Sequence, residues 1–199
     1  MNKNLFERYI KALPENARVL DAGCGGCEIT RYIHSLRPDL KIFDVDINPQ
    51  LKEKFPEYAR FFNMSVENLK FNKRYFDCIL CFHVIEHLRN PQKAISEFYR
   101  VLKEEGIVFA ESPHWITAIT PVGYNFYDDP THVRPYNTKS YRRLFSNFSV
   151  KYASFEAPIF FYLPNLYDMK TLSFGYLARK AFNLFGLYNT SVFLIAKKE

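Results

Sequence analysis

Strand-like and helix-like segments alternate along the first 113 residues, and this alternation restricts the fold more than any other feature. Short apolar runs typical of strands lie at residues 18–22, 40–47, 59–64, 76–82 and 107–111. The run at residues 76–82 is apolar almost throughout, as expected of a strand buried on both faces of a parallel sheet. The order predicts an α/β fold with a Rossmann-like, doubly wound, mostly parallel sheet and helices on both of its faces.

The chain length favours one domain. A chain of 199 residues is in the usual range for a single domain, so we predict one domain over residues 1–199. The chain has 20 Phe and 14 Tyr, and the excess of aromatic residues is concentrated in an aromatic-rich insertion at about residues 158–188. That segment is interpreted as core or dimer surface, or as an apolar lid or membrane-surface helix over the substrate.

Composition narrows the cellular context. No apolar run is long enough to span a bilayer, and the first residues lack the apolar core of a secretory signal. Four cysteines in 199 residues do not indicate a disulfide framework. We therefore expect a cytoplasmic protein, and the net charge of +6 and the aromatic segment leave contact with a membrane surface open.

The stretch VLDAGCGGC, residues 19–27, follows the first strand and indicates a ligand-binding loop. Gly23 and Gly25 match the first two positions of the dinucleotide fingerprint G-x-G-x-x-G, but Glu28 takes the third. A carboxylate there would repel a pyrophosphate at the helix N-terminus. Asp46 ends the second strand, where a carboxylate can accept hydrogen bonds from ribose hydroxyls. The loop therefore favours a nucleoside ligand without phosphates.

Four stretches together resemble the class I S-adenosylmethionine-dependent methyltransferases that act on small molecules. These stretches are VLDAGCGGCEITRYI, FDVDINPQL, YFDCILCFHVIEHLRNP and EFYRVLKEEGIVFAESP. The resemblance covers about residues 18–113 and implies a seven-stranded sheet whose last strand is antiparallel. It also implies that S-adenosylmethionine is bound by Asp21, Gly23, Gly25, Asp46, Ile47, Ser65, Val66, Phe82 and His83.

The sequence departs from the family pattern at three positions. Cys27 stands where a third glycine is usual, and we expect so small a residue to be tolerated. Ser65 replaces an adenine-binding Asp and can still accept one hydrogen bond. Asp44 replaces a residue that is usually small, and nothing in the sequence explains it.

Two patterns suggest metal binding, and neither has the context it needs. Cys24-x-x-Cys27 and Cys78-x-x-Cys81 cannot form one zinc site, because residues i and i+3 of a strand point to opposite faces. The stretch HVIEH, residues 83–87, matches H-x-x-E-H of zinc hydrolases, a remote alternative that requires both histidines on one helix. We interpret Glu86 and His87 as local hydrogen-bonding residues and predict no metal.

Residues 125–136, NFYDDPTHVRPY, are the candidate acceptor-binding segment. We expect His132 to act as the general base for a hydroxyl acceptor, because its ordinary pKa lies near ~6.5. Asp128 or Asp129 would orient it, and His114 is the alternative base. The competing interpretation is a loop held together by turn residues.

The predicted function is methyl transfer from S-adenosylmethionine to a small-molecule, glycan-linked or lipid-linked acceptor. An RNA or other nucleic-acid methyltransferase is the first alternative, based on a modest basic cluster of Arg134, Lys139, Arg142 and Arg143. Nucleic-acid surfaces usually carry larger basic stripes. A non-catalytic nucleoside-binding protein is the second alternative, and monomer and homodimer both stay open.

Overall fold

A computed structural model of the chain describes residues 3–119, 125–156 and 191–199. The predicted aromatic insertion at about residues 158–188 lies outside the described residues. The predicted extent of the domain, residues 1–199, therefore stays a prediction. The helices are α1 (Lys3–Lys11), α2 (Glu28–Leu36), α3 (Pro91–Val101) and α4 (Thr138–Leu144). The strands are β1 (Arg18–Ala22), β2 (Lys41–Asp46), β3 (Ala59–Asn63), β4 (Phe76–Phe82), β5 (Leu102–Pro113), β6 (Ser149–Glu156) and β7 (Ser191–Lys197).

The seven strands form one sheet in the order β3-β2-β1-β4-β5-β7-β6. Strands β1 to β5 pair in parallel, whereas β7 is antiparallel to both β5 and β6. The predicted fold class is therefore confirmed, including the antiparallel last strand. The order reverses beside β1, because β2 and β4 lie on opposite sides of it, and ligands in such sheets bind outside the carboxyl ends of the strands at this point.

Apolar residues cover both faces of the sheet. Phe6 and Ile10 of α1 and Ile33 of α2 pack on one face, and residues of α3 and α4 pack on the other. Cys78 and Cys81 of β4 belong to the two opposite clusters, so their sulfurs diverge as predicted. All four cysteines are buried and free.

Two details of the chain path differ from expectation. The alternation predicts that Gly106 ends a helix, but α3 ends at Val101 and Gly106 lies within β5. A Cβ at Gly106 would lie 2.7 Å from Cγ of Leu102, so close packing and not helix capping requires this glycine. After β2, the Asn48-Pro49 pair predicts a capped helix; Asn48 does cap it, accepting a hydrogen bond from N–H of Gln50, but the element is the 3-10 helix Pro49–Lys54.

Candidate functional site

A cleft of about 520 Å³ lies at the carboxyl ends of β1, β2 and β4. It brings together seven of the nine residues that the sequence assigns to the cofactor: Gly23, Gly25, Asp46, Ile47, Ser65, Val66 and His83. Six further residues line it: Met64, Glu67, Val84, His87, Leu88 and Arg89. These six follow β3 and β4, and the rule that ligands lie at strand ends is the signal that could have identified them.

The glycine loop owes its path to left-handed backbone and close packing. Gly23 has φ +87° and Gly25 has φ +46°, a region that residues with a Cβ avoid. The N–H groups of Gly23 and Cys24 both donate to the carbonyl of Val45, at 2.7 and 3.1 Å. A Cβ at Gly23 would overlap Val84, while one at Gly25 would meet no atom within 4 Å. Open space therefore lies over Gly25 in the cleft.

Asp46 joins this loop to the end of β2. Its Oδ2 accepts a hydrogen bond from N–H of Gly25 at 3.1 Å, and its Oδ1 accepts one from N–H of Asn48 at 2.8 Å. Each carboxylate oxygen has two lone pairs, so each keeps the capacity to accept one more bond. Asp46 therefore fixes the loop and can still receive two ligand hydroxyls.

The wall beside Asp46 combines the apolar side chain of Ile47 with the hydroxyl of Ser65. Ile47 is 75% exposed in the cleft, although a side chain of this type is usually buried. Ser65 accepts a hydrogen bond from N–H of Glu67 at 3.1 Å, which leaves its hydroxyl proton and one lone pair available. This wall suits a flat aromatic ring with polar edges.

His83 stands at the end of β4 in a left-handed conformation with φ +55°. Its Nδ1 is 3.4 Å from Oε1 of Glu86, and its Nε2 is 3.8 Å from Glu111. Burial lowers the pKa of His83, but the two carboxylates outweigh burial and raise the pKa above its ordinary value.

Asp21 and Phe82 do not line the cleft. Asp21 is buried and forms a cluster with Asp44 and Thr30, whose hydroxyl lies 3.0 Å from Asp21 Oδ2 and 2.7 Å from Asp44 Oδ1. A hydroxyl has one proton to donate, so one of these contacts requires a protonated carboxyl group. Burial raises the pKa of Asp21 to about 8 and that of Asp44 to about 7. Asp44, which the sequence left unexplained, thus shares a buried acid pair.

We expect Asp44→Asn to stabilise the protein at high pH. A pKa raised on folding gives stability that is complete below the unfolded pKa and is lost as pH rises to the folded pKa. For Asp44 this window runs from 3.8 to about 7. The variant should match wild type near the bottom of the window and exceed it by about 1–3 kcal/mol at its top, measured by urea unfolding across pH.

Asp39→Asn is the matched control with the opposite sign. The Arg37 guanidinium and the N–H of Asn16 lower the pKa of Asp39, so its stabilising effect is present above the unfolded pKa and disappears on acidification. This variant should be less stable than wild type at neutral pH and approach it at low pH. Parallel pH profiles for wild type and Asp44→Asn would contradict a raised pKa at Asp44.

The segment at residues 125–136 contacts the chain that follows β4, because N–H of Val133 donates to the carbonyl of Glu86 at 2.8 Å. Asp128 closes a capping box, accepting a hydrogen bond from N–H of Asn125 at 2.8 Å. His114 begins the 3-10 helix Trp115–Ala118 and accepts from N–H of Ile116 at 3.5 Å, and burial lowers its pKa. Neither residue lines the cleft.

His132 lies behind the cleft wall. Its side chain is 6% exposed, and its ring centroid is 4.6 Å from that of His87, which does line the cleft. Asp129 Oδ2 is 3.8 Å from His132 Nε2, so the structure brings these two predicted residues near each other. The general-base role of His132 stays a prediction.

Glu86 and His87 are the predicted local hydrogen-bonding residues after β4. The side chain of Glu86 is fully buried, and neither carboxylate oxygen has a hydrogen-bond partner among the described residues. Glu86 forms hydrogen bonds through its backbone carbonyl, which accepts from N–H of Val133 at 2.8 Å, and Oε1 of its carboxylate lies 3.4 Å from Nδ1 of His83. His87 makes a side-chain hydrogen bond, from Nδ1 to the Thr131 hydroxyl at 2.8 Å.

No helix in the described ranges is long and apolar enough to cross a membrane.

Comparison with known proteins places the chain in a family. Residues 2–152 match the family described as "Methyltransferase domain". The carboxy-S-adenosyl-L-methionine synthase of Campylobacter jejuni subsp. doylei is 27% identical over 105 residues, 49% of this chain and 45% of that protein. The uncharacterized methyltransferase YcgJ of Bacillus subtilis is 31% identical over 123 residues, 59% of this chain and 47% of that protein. The chain spans about half the length of these relatives.

Solved structures show the same fold. A SAM-dependent methyltransferase from Archaeoglobus fulgidus superposes with a TM-score of 0.71 and 24% identity, covering 98% of this chain and 92% of that one. The family match spans more than half of the 199 residues. This match agrees with the strand order. It also agrees with the resemblance of the glycine loop and Asp46 to the motifs of class I methyltransferases. The chain belongs to the class I S-adenosylmethionine-dependent methyltransferases.

Proposed function

We propose that this protein methylates a small, partly apolar or glycan-linked or lipid-linked acceptor in the cleft at the ends of β1, β2 and β4. The observation that carries the proposal is the convergence of Gly23, Gly25, Asp46, Ile47 and His83 on one cleft of about 520 Å³. That volume is in the usual range for small-molecule sites.

The residues present fit S-adenosylmethionine. Asp46 has two acceptor positions for the ribose hydroxyls, and the exposed side chain of Ile47 can cover one face of the adenine ring. The open space over Gly25 lets a ligand approach the backbone closely. When bound, this cofactor supplies a methyl group activated by a positively charged sulfur. The chain's own contribution is to bind and orient, since alignment accounts for much of the acceleration of a displacement reaction.

The cleft lining favours a small acceptor over a nucleic acid. Val84 and Leu88 give the wall an apolar part, while His83, His87 and Arg89 supply polar contacts. Arg89 is the one Lys or Arg among the described residues of this lining, which also contains the acids Asp46 and Glu67. A phosphate backbone is recognised mainly by several lysines and arginines.

The basic cluster that supports the nucleic-acid alternative is divided. Arg134 and Arg143 line a second cavity of about 340 Å³ that does not include Lys139 or Arg142. The four cations therefore do not line one cavity. This arrangement favours binding of a single anionic group over binding along the phosphate backbone of a nucleic acid.

Transfer of a labelled methyl group tests the proposal. Protein and methyl-labelled S-adenosylmethionine are incubated with panels of small hydroxyl and amine compounds, glycans, lipid-linked sugars and unstructured RNA. We expect label to appear in one of the small or lipid-linked classes. Asp46→Ala serves as the control and should reduce transfer at low cofactor concentration. Equal labelling of unstructured RNA would contradict the proposal, because an open basic surface would then be the recognition site.

A further inference from the structure

A buried carboxylate and two histidines converge beside the cleft. One ligand atom from each of Glu86, His87 and His132 can be chosen so that all three lie within 4.8 Å of one another. Glu86 is fully buried, and both of its carboxylate oxygens lack a hydrogen-bond partner in the described ranges. A buried carboxylate is costly unless it is compensated; the His83 imidazole lies 3.4 Å from Oε1, and Oε2 remains available to a cation.

Hydrogen bonds fix how the two imidazoles present their nitrogens. Nδ1 of His132 is 2.6 Å from the carbonyl of Phe126, and a carbonyl can only accept, so His132 Nδ1 carries the proton. Thr131 donates its hydroxyl proton to Asp129 at 2.6 Å. It must therefore accept from Nδ1–H of His87, 2.8 Å away. In both neutral rings the lone pair is therefore on Nε2, which is the nitrogen available to bind a metal ion.

This arrangement is the one that metal-binding histidines adopt. Such histidines donate their second ring N–H to a carbonyl, hydroxyl or carboxylate, which fixes the tautomer and the ring orientation. Here the supporting partners are a backbone carbonyl for His132 and the Thr131–Asp129 pair for His87. Two imidazoles and one carboxylate are the donor set of catalytic zinc sites and of non-haem iron sites.

We propose that Glu86, His87 and His132 bind a divalent transition-metal ion at the wall of the cleft. Ligands of a tetrahedral ion at ~2.0–2.1 Å lie ~3.4 Å apart, so binding draws the three ligand atoms together from separations of up to 4.8 Å. Of the H-x-x-E-H pattern, only Glu86 and His87 are ligands here, and the second histidine is His132 from a separate segment instead of His83. The two histidines therefore do not need to lie on one helix.

Three protein ligands leave at least one coordination position open. His87 is shared between the metal cluster and the cleft lining, so the ion would border the space assigned to the acceptor. The fitting acceptor class is one that carries a hydroxyl or carboxylate oxygen. This part of the inference rests on the proposed function, whereas metal binding itself does not.

The experiment uses Co²⁺ and Zn²⁺ as probes on the full chain after chelator treatment. We expect one Co²⁺ per chain with a visible spectrum free of thiolate charge-transfer bands. Competing Zn²⁺ should displace it, and either metal should raise the unfolding temperature. Glu86→Gln and His132→Ala should each weaken binding by at least about tenfold. His34→Ala removes an imidazole that stacks on Tyr58 and should bind like wild type.

Unchanged affinity in folded Glu86→Gln, or no metal uptake by wild type, would overturn the metal site. If His132→Ala does not fold, the metal affinity of the isosteric Glu86→Gln variant still shows whether the site exists. Binding of the demethylated cofactor product is measured separately, on metal-free protein. Absence of that binding would count against the proposed function and not against the metal site. Methyl transfer that is equally fast without metal would overturn the role in holding the acceptor.

Discussion

Gly23→Ala is expected to lower the free energy of unfolding by about 2–5 kcal/mol. The left-handed backbone at φ +87° costs a residue with a Cβ about 1–2 kcal/mol. The added Cβ would also overlap the Val84 side chain, and such overpacking costs about 1–3 kcal/mol. Urea unfolding followed by circular dichroism measures the sum.

Two further variants separate these causes. Gly25→Ala has the same backbone problem at φ +46° but meets no atom within 4 Å, so it should lose only the backbone part, about 1–2 kcal/mol. In a Gly23→Ala background, Val84→Ala should restore the free energy of unfolding that the overlap with Val84 costs. A double-mutant cycle detects this coupling. Equal losses for the two glycine variants, with no coupling to Val84, would show that the close approach of the loop and β4 is absent.

Asp46→Ala is expected to reduce affinity for S-adenosylmethionine about ten- to a hundredfold. Loss of a charged acceptor costs about 1.5–3 kcal/mol, and here it leaves the ribose hydroxyls and the N–H of Gly25 without their partner. Calorimetry on the folded variant measures the change. Glu28→Ala removes an exposed carboxylate from the start of α2, outside the cleft lining, and should alter affinity by less than about twofold.

A ligand change shows whether Asp46 acts on the ribose or only on the loop. The 2′-deoxy analogue of the demethylated product should bind wild type more weakly than the product does. Asp46→Ala should bind the two compounds almost equally, because the partner of the missing hydroxyl is already gone. If the variant discriminated between them as strongly as wild type does, the ribose assignment would be wrong.

The sequence was sufficient for the fold because the signals are local and agree with one another. Apolar runs bounded by turn residues predict the first four strands to within one residue at each end, whereas β5 begins at Leu102, five residues before the predicted start. A glycine loop after β1 and an acid at the end of β2 are brought together by any parallel sheet that reverses its order beside β1. That is why Asp46 and Gly25, 21 positions apart in the chain, could be paired before the structure was known.

The rest of the site depends on contacts that have no local signature. Asp21 and Asp44 are register partners on β1 and β2, and Thr30 reaches both carboxyl groups only through the packing of α2 on the sheet. His132 reaches His87 because backbone N–H groups of Val133 and Arg134 bond to the carbonyl of Glu86, a long-range contact that spacing cannot reveal. Cys27 takes φ +62°, so the position keeps the glycine-like backbone of the family although its residue is not glycine.

Titration calorimetry of the wild-type chain with S-adenosylmethionine, its demethylated product and NAD tests the central claim most directly. Saturable binding of the first two at one site per chain is expected, with no heat from NAD. The carboxylate of Glu28 in the first turn of α2 disfavours a pyrophosphate at that helix N-terminus. Tight binding of NAD, or no binding of either S-adenosyl compound to folded protein, would contradict this account of the cleft.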